Sequence, residues 1–235
     1  MHILKRGRFT DRDKENGALP RLQQQKGSFT MAGYDFEKMK KKLAKYLDED
    51  RYLHTMGVMY TCAALAMAHG YDLEAAQAAG LLHDCAKCIP NKKKLKMCSQ
   101  SNIPVTPFEE AHPFLLHAKL GAYVAGKKYD IRNPEILSSI TWHTTGKPDM
   151  SVLEKIVYIA DYIEPRRDKA PNLPQVRAMA FRDLDECMYM ILRDTLSYLG
   201  SNPKDIDSTT QEAFSYYNDL HTKKKQTAER SSSDE

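Results

Sequence analysis

Apolar residues recur at helical spacing along most of the chain between residues 31 and 221, whereas both ends are polar and lack periodicity. In the segment RYLHTMGVMYTCAALAMAHG, apolar positions share one helical face, and Gly70 is suited to end the helix. No segment alternates apolar and polar residues between turn residues, as a strand does. The pattern therefore predicts an all-α protein.

Residues that begin and end helices divide this pattern into consecutive elements. Four residues with side chains suited to N-caps precede apolar segments: Asp72, Asn133, Ser151 and Ser208. The last two are followed three residues later by Glu or Gln, which predicts a capping box at each. Prolines should break residues 91–113 into short pieces, and a longer helix is expected from about Leu173 to Gly200.

Composition divides the chain into three parts. Residues 1–30 are polar and basic and are expected to form a flexible extension, with Met31 as a possible alternative translation start. Residues 31–221 are predicted to form a single helical domain. Residues 222–235, which end in AERSSSDE, are expected to be a disordered tail.

Charge and cysteine content exclude several classes of protein. The 235 residues carry a formal net charge of +4, and the Lys-rich runs are typical of solvated faces. No apolar run reaches the roughly 20 residues of a membrane helix, and the N-terminus lacks the apolar region of a signal peptide. Five cysteines, an odd number, indicate free thiols. We expect a cytoplasmic protein that binds neither nucleic acid nor membrane.

Polar residues interrupt the predicted apolar faces, and all of them are histidine or aspartate. They lie on five helices: His54, His83, Asp84, His117, His143 and Asp161. A single buried histidine is usually satisfied by its neighbours, and one aspartate could pair with an arginine. Metal ions explain all six at once, because imidazole and carboxylate ligands suit iron, manganese, cobalt and zinc.

The order of these residues resembles the HD-domain phosphohydrolase superfamily. His54, the doublet His83–Asp84 and the distant Asp161 match its defining order, and the two intervening histidines resemble the subset with two metals. The segments RYLHTMGV, AAGLLHDCAK, LLHAKLGAYVA and ITWHTTGKPDMSVLEKIVYIADYIEPRR are similar to bacterial symmetrical bis(5′-nucleosyl)-tetraphosphatases of the YqeK type. One departure is DKAPNLP, where that family usually has a Pro-Gly turn.

This resemblance implies an HD-type helical bundle with two divalent metal ions in its core, expected to be iron, with manganese, cobalt or zinc as alternatives. His54, His83, Asp84 and Asp161 would hold one ion, His117 and His143 would complete the second, and Asp84 would bridge them. The implied reaction is attack by metal-activated water on diadenosine tetraphosphate, which gives two ADP without a covalent enzyme intermediate. The residues alone support metal-assisted hydrolysis of a phosphoanhydride or phosphoester.

Several residues near these ligands are candidates for contacts to phosphate. Lys87 lies one turn beyond His83 and, with Asp84, is the expected catalytic residue. The predicted substrate-binding residues are Arg51, Lys87, Thr144, Thr145, Gly146 and Arg167. Lys87 could instead be a surface lysine, and a helix end alone would explain Gly146. We expect Glu164 to pair with Arg51 or Arg167.

Two alternatives to the tetraphosphatase remain open at this point. One is another HD-domain phosphohydrolase, acting on a mononucleotide, a cyclic nucleotide or an alarmone. The other is a non-catalytic nucleotide sensor built on the same bundle. The oligomeric state is also open, because Met188, Ile191 and Leu192 can pack within the chain or in a homodimer.

Overall fold

The computed structural model describes residues 33–170, 172–200 and 206–233, which form eleven helices and no strand. In chain order the helices are α1 Phe36–Leu43, α2 Glu49–His69, α3 Leu73–Leu82, α4 Asn91–Gln100, α5 Pro107–Ala111, α6 His117–Tyr129, α7 Pro134–Trp142, α8 Val152–Ile163, α9 Leu173–Ala180, α10 Leu184–Leu199 and α11 Ser208–Ser233. The all-α prediction is confirmed. The predicted extension, residues 1–30, lies outside the described residues. Within the described residues, no helix combines the length and apolarity needed to cross a bilayer.

Helix α8 lies at the centre of the bundle, in contact with α2, α3, α7, α9 and α10. Its residues Ile156, Val157 and Ile159 are fully buried, which accounts for the apolar run around Asp161 in the sequence. Helix α2 packs closely on α3, where a Cβ at Gly80 would lie only 2.8 Å from Cys62 Sγ. Burial of each large apolar side chain contributes about 1.5–3 kcal/mol, so this core holds the helices that carry the polar residues.

Most of the helix ends lie at the residues that the sequence predicts. Gly70 ends α2 with a left-handed φ of 65°, and Asp72 caps α3 through the amide of Ala75. Asn133 caps α7, and Ser151 forms both bonds of the predicted capping box at the start of α8. These ends depend on contacts within a few residues, which is why the sequence alone identifies them.

Two predicted segments have different boundaries in the structure. The segment predicted as broken pieces contains the regular helix α4, because its prolines all follow residue 103. The single helix expected from Leu173 to Gly200 is two helices, α9 and α10. The division occurs because the Asp183 carboxylate accepts hydrogen bonds from the amides of Asp185 and Glu186 and so begins a new helix.

The C-terminal part of the chain also differs from its prediction. Helix α11 begins at Ser208, and the Oδ1 of the preceding Asp207 accepts the amide of Thr209, so Asp207 rather than Ser208 precedes the helix in the N-cap position. The helix continues to Ser233, and the expected disordered tail from residue 222 is corrected to that extent. Among the contacts that hold it on α10, the His221 ring stacks on Tyr189 at 4.0 Å, and Lys224 pairs with Asp183.

The residues considered for a homodimer are buried inside the chain. Met188 and Leu192 are fully buried, and Ile191 is 1% exposed, in the core next to α8 and α11. They pack internally, so the homodimer prediction receives no support from them.

Candidate metal centre

Five helices bring the six predicted ligands to one place in the bundle. His54 lies in the second turn of α2, and His83 and Asp84 follow the last residue of α3. His117 begins α6, His143 is the C-cap of α7, and Asp161 is in the last turn of α8. Five of these six residues therefore lie at a helix end or within one turn of it, and only His54 lies further inside a helix.

Asp84 is at the middle of the cluster and is 2% exposed. Its Oδ1 lies 3.3 Å from His117 Nε2 and 3.5 Å from His143 Nε2. Its Oδ2 accepts a hydrogen bond from Arg51 Nη1 at 2.8 Å and lies 3.5 Å from His83 Nε2. The two carboxylate oxygens thus face different sets of nitrogens.

Backbone contacts fix the orientation of three of the imidazole rings. The Nδ1 atoms of His83, His117 and His143 lie 2.7, 2.6 and 2.7 Å from the carbonyl oxygen three residues earlier in the chain. Since a carbonyl only accepts, each Nδ1 carries a hydrogen, and each neutral ring has its lone pair on Nε2. Burial lowers the pKa of His117 to about 4, so this ring is neutral at pH 7.

Lone pairs face one another across the centre. His117 Nε2 lies 3.2 Å from His143 Nε2, and in the neutral tautomers neither nitrogen has a hydrogen to donate. His54 Nε2 lies 3.1 Å from Asp161 Oδ1 while its Nδ1 faces a second carboxylate, Glu164. A cation bound between the two atoms of each pair would interact favourably with both acceptors.

Three buried atoms of the cluster have no hydrogen-bond partner: His54 Nε2, His83 Nε2 and Asp84 Oδ1. An unsatisfied buried polar atom is costly, and native proteins keep few of them. Two groups bring ligand atoms within 4.8 Å of one another, His54–His83–Asp161 and His83–Asp84–His143. Nitrogen and carboxylate donors at this spacing fit divalent first-row metal ions.

Both carboxylates in the cluster are ionised. Burial by itself raises the pKa of Asp84, but the interaction with His83 and hydrogen-bonding contacts with His117 and His143 outweigh burial and hold this pKa well below its usual range. Burial also opposes ionisation of Asp161, whose pKa is nevertheless lowered by the contact with His54 and by nearby positive charge. The centre therefore presents fixed negative charge to a cation.

A cleft of about 760 Å³ opens over the cluster, and four of the predicted substrate contacts line it: Arg51, Lys87, Thr144 and Arg167. Lys87 Nζ donates to His117 Nε2 at 3.1 Å, and Thr144 Oγ1 lies 3.2 Å from the same nitrogen. Arg167 Nη2 donates to Asp161 Oδ1 at 2.6 Å. These cationic and hydroxyl groups border the metal ligands directly.

Thr145 and Gly146 do not line this cleft. Gly146 has a left-handed φ of 67°, and its amide donates to the Trp142 carbonyl at 2.9 Å, as in a helix-ending turn. A Cβ on this glycine would meet Tyr158 and Ala213 rather than open space. The structural alternative therefore accounts for Gly146, and the Thr145 hydroxyl is used locally on the Gly146 carbonyl.

Glu164 was expected from the sequence to pair with Arg51 or Arg167, but it pairs with neither guanidinium group. Its Oε1 accepts from His54 Nδ1 at 3.1 Å, and its Oε2 accepts from the Arg166 amide at 2.8 Å. Arg166 and Lys169 also line the cleft but were not predicted. The sequence signal that could have indicated Arg166 is the Arg-Arg pair directly after ADYIEP.

The histidines that were left out of the predicted site lie elsewhere, among the residues described. His69 Nε2 bonds to the Ala180 carbonyl, and the His112 ring stacks on Phe108. His221 packs on Tyr189, and His2 is outside the described part of the chain. Each described histidine of this set is satisfied by a local partner.

Comparison with known proteins places the chain in a family. The HD domain matches residues 51–166. A protein of Bacillus subtilis described as a symmetrical bis(5′-nucleosyl)-tetraphosphatase is 37% identical over 153 residues, which cover 65% of this chain and 81% of that protein. A protein of Staphylococcus aureus with the same description is 31% identical over 186 residues, 78% of this chain and 95% of the relative.

A solved structure supports the same assignment. The crystal structure of an HD superfamily hydrolase of Clostridium acetobutylicum, described as involved in NAD metabolism, aligns with a TM-score of 0.75 at 35% identity. The alignment covers 80% of this chain and 100% of the other. HD domains bind divalent metal ions, which agrees with the donor set described above. The chain belongs to the HD-domain family that includes the symmetrical bis(5′-nucleosyl)-tetraphosphatases.

Proposed function

We propose that this protein is a metal-dependent phosphohydrolase that cleaves diadenosine tetraphosphate symmetrically into two ADP. The observation that carries the proposal is the convergence of six His and Asp ligands, five of them buried, beneath a cleft lined by basic side chains. Relatives at 37% and 31% identity carry the name of that activity, and the chain spans most of each of them.

The metal ligands fall into two groups around Asp84. We assign His54, His83 and Asp161 to one ion and His117 with His143 to the other. The division of nitrogens between Oδ1 and Oδ2 supports Asp84 as the bridging ligand. When bound, divalent ions lower the pKa of water toward neutrality and offset negative charge on phosphoryl oxygens. We expect iron, and the same donor set also suits manganese, cobalt and zinc.

The basic residues of the cleft bind and orient the polyphosphate. Arg51 and Arg167 are held by Asp84 and Asp161, so their guanidinium groups are fixed beside the metal ligands and can donate to phosphate oxygens. Lys87 and Thr144 border His117 and add a cation and a hydroxyl group next to that ligand. Together these groups hold one phosphoryl group in the position where water attacks it.

Water is the expected nucleophile. Among the cleft-lining residues in the part of the chain that the structure describes there is no serine or cysteine. The buried Cys85 thiol, adjacent to Asp84, has its pKa raised by burial to about 12, so it stays protonated. We therefore expect direct hydrolysis without a covalent enzyme intermediate.

The test is to incubate metal-replete protein with diadenosine tetraphosphate and to separate AMP, ADP and ATP by chromatography. ADP as the only product supports the proposal, whereas ATP with AMP would retain the hydrolase and overturn symmetrical cleavage. Asp84→Ala should abolish turnover while the circular dichroism of the helices persists. The matched control Asp219→Ala, at an exposed position of α11, should hydrolyse at the wild-type rate.

Two further predictions accompany the proposal without a structural test. The protein is expected in the cytoplasm, and it is expected to be either a monomer or a homodimer. The residues first considered for a dimer interface are buried in the chain, so a dimer would have to use another surface.

A further inference from the structure

The four histidines of the centre are oriented in two different ways. His83 and His143 are the C-caps of α3 and α7, and His117 begins α6. The Gly80 and Ile140 carbonyl oxygens lie in the last turns of α3 and α7, where carbonyl oxygens lack a partner within the helix, and each accepts the Nδ1 hydrogen of the ring that follows. His117 Nδ1 donates to the Phe114 carbonyl, which lies just before α6. These three rings are therefore held by their own stretch of backbone.

His54 has no such local partner. It lies inside α2, where each carbonyl oxygen already accepts the amide four residues later. Its Nδ1 instead donates to Glu164 Oε1 at 3.1 Å, across 110 residues of sequence. Glu164 is the C-cap of α8 and is 1% exposed. The Nδ1 hydrogen of His54 is thus accepted by a buried carboxylate at the end of another helix, whereas the Nδ1 hydrogens of the other three histidines are accepted by backbone carbonyls.

The Glu164 carboxylate is itself fixed in place. Its second oxygen, Oε2, accepts from the Arg166 amide at 2.8 Å in the turn that follows α8. The same helix supplies Asp161, whose Oδ1 lies 3.1 Å from the other ring nitrogen of His54. Helix α8 therefore contacts both nitrogens of this imidazole.

Gly57 makes room for this carboxylate. A Cβ at position 57 would lie 2.5 Å from Glu164 Oε2, closer than Cβ atoms approach other atoms, and 3.3 Å from Cδ, which is a tight contact. Glycine in a helix interior is less favourable than alanine, so α2 has a weakening residue at the point where Glu164 passes. This close approach gives a physical reason for a glycine one turn after a metal ligand.

We infer that Glu164 is a positioning residue for the metal ligand His54, and that Gly57 is required for its carboxylate to reach the ring. The inference rests on the proposed metal-dependent function. Glu164 holds the hydrogen on Nδ1, directs Nε2 toward Asp161 and raises the basicity of that nitrogen. Loss of such a partner costs about 10–100-fold in metal affinity.

The experiment measures Mn²⁺ affinity by competition with a fluorescent chelator, together with the thermal unfolding of the metal-free protein. Glu164→Ala and Gly57→Ala should each weaken Mn²⁺ binding by about 10–100-fold. Glu164→Gln should have an intermediate effect, because it keeps the size of the side chain but loses its charge. The matched control is Gly126→Ala in α6, where a Cβ would lie 3.6 Å from its nearest neighbour, the Ile131 carbonyl, and affinity should not change.

The double variant separates the clash from other effects of alanine in α2. If Gly57 acts only by admitting Glu164, then Gly57→Ala should cause no further loss of affinity in a protein that already carries Glu164→Ala. Equal Mn²⁺ affinity of wild type and Glu164→Ala would overturn the inference. Absence of Mn²⁺ binding by the wild type would instead overturn the proposed function. If Glu164→Ala does not unfold cooperatively, Glu164→Gln and Gly57→Ala decide the question.

Discussion

The position of Lys87 distinguishes between its two interpretations from the sequence, a phosphate-binding lysine and a surface lysine. A surface lysine would extend its ammonium group to solvent, away from polar groups of the interior. Here Nζ donates to His117 Nε2 at 3.1 Å and lies 3.9 Å from Asp84 Oδ1, with about a third of the side chain, 34%, exposed. The amine therefore lies at the junction of the metal ligands and the open cleft, where a phosphate of the substrate would arrive.

We predict that Lys87→Ala raises KM for diadenosine tetraphosphate about 10-fold or more, because a hydrogen bond to a charged group contributes about 1.5–3 kcal/mol. The change in kcat should be small if the lysine binds ground state and transition state equally. Steady-state kinetics at saturating metal measure both. Lys92→Ala, at an exposed position of α4, is the control, and unchanged KM and kcat for Lys87→Ala would return Lys87 to the surface.

At the scale of single residues, the sequence predicts the candidate metal ligands better than the residues that hold those ligands in place. The six His and Asp residues are recognisable because they interrupt apolar faces, and the structure brings all of them together. Glu164 was assigned to the wrong partner, because its contact with His54 spans 110 residues and no local pattern reports it. Gly146 resembled a phosphate-binding glycine, but its turn chemistry only ends a helix.

Between elements, the structure depends on contacts that join neighbouring helices. Caps such as Asp72 and Ser151 were predictable because each bonds to amides within three residues. The division between α9 and α10 was not, because residues on both sides of it favour helix and only the Asp183 carboxylate decides where the second helix begins. The same carboxylate accepts from Lys224, so it also holds α11 on α10.

We predict that Asp183→Ala lowers the free energy of unfolding by about 1–2 kcal/mol, the usual effect of removing an N-cap. Urea unfolding followed by circular dichroism measures it, with the exposed Glu110→Ala as control. Burial by itself raises the pKa of Asp183, but the bonds from Lys224 and from the two amides lower it overall. This stabilisation is therefore complete above the unfolded pKa of about 3.9 and is lost as pH falls through the lower folded pKa. Wild type and variant should converge in acid, and an equal difference at all pH values would contradict the assignment.

At the scale of the whole molecule, the candidate metal centre brings together helices that are distant in sequence. Its ligands come from α2, α6, α7 and α8 and from the turn after α3, so a bound ion would tie together segments that are up to 107 residues apart, from His54 to Asp161. Helical periodicity predicts these elements but not their meeting point. That came from the order of His and Asp along the chain, which resembles a known superfamily.

Removal of metal should therefore lower the stability of the entire fold. A ligand that binds only the folded state adds RT ln(1 + [L]/Kd), about 2.7 kcal/mol at a concentration 100 times Kd. For a chain of this size we expect this to raise Tm by about 5–11 °C. Thermal unfolding followed by circular dichroism, with EDTA and then with increasing Mn²⁺, measures the shift. The wild-type Tm should rise with the logarithm of Mn²⁺ concentration, whereas Asp84→Ala should respond weakly, because it lacks the oxygens that face both groups of nitrogens. A wild-type Tm that is the same in EDTA and in Mn²⁺ would mean that the six side chains form a polar core without a metal ion.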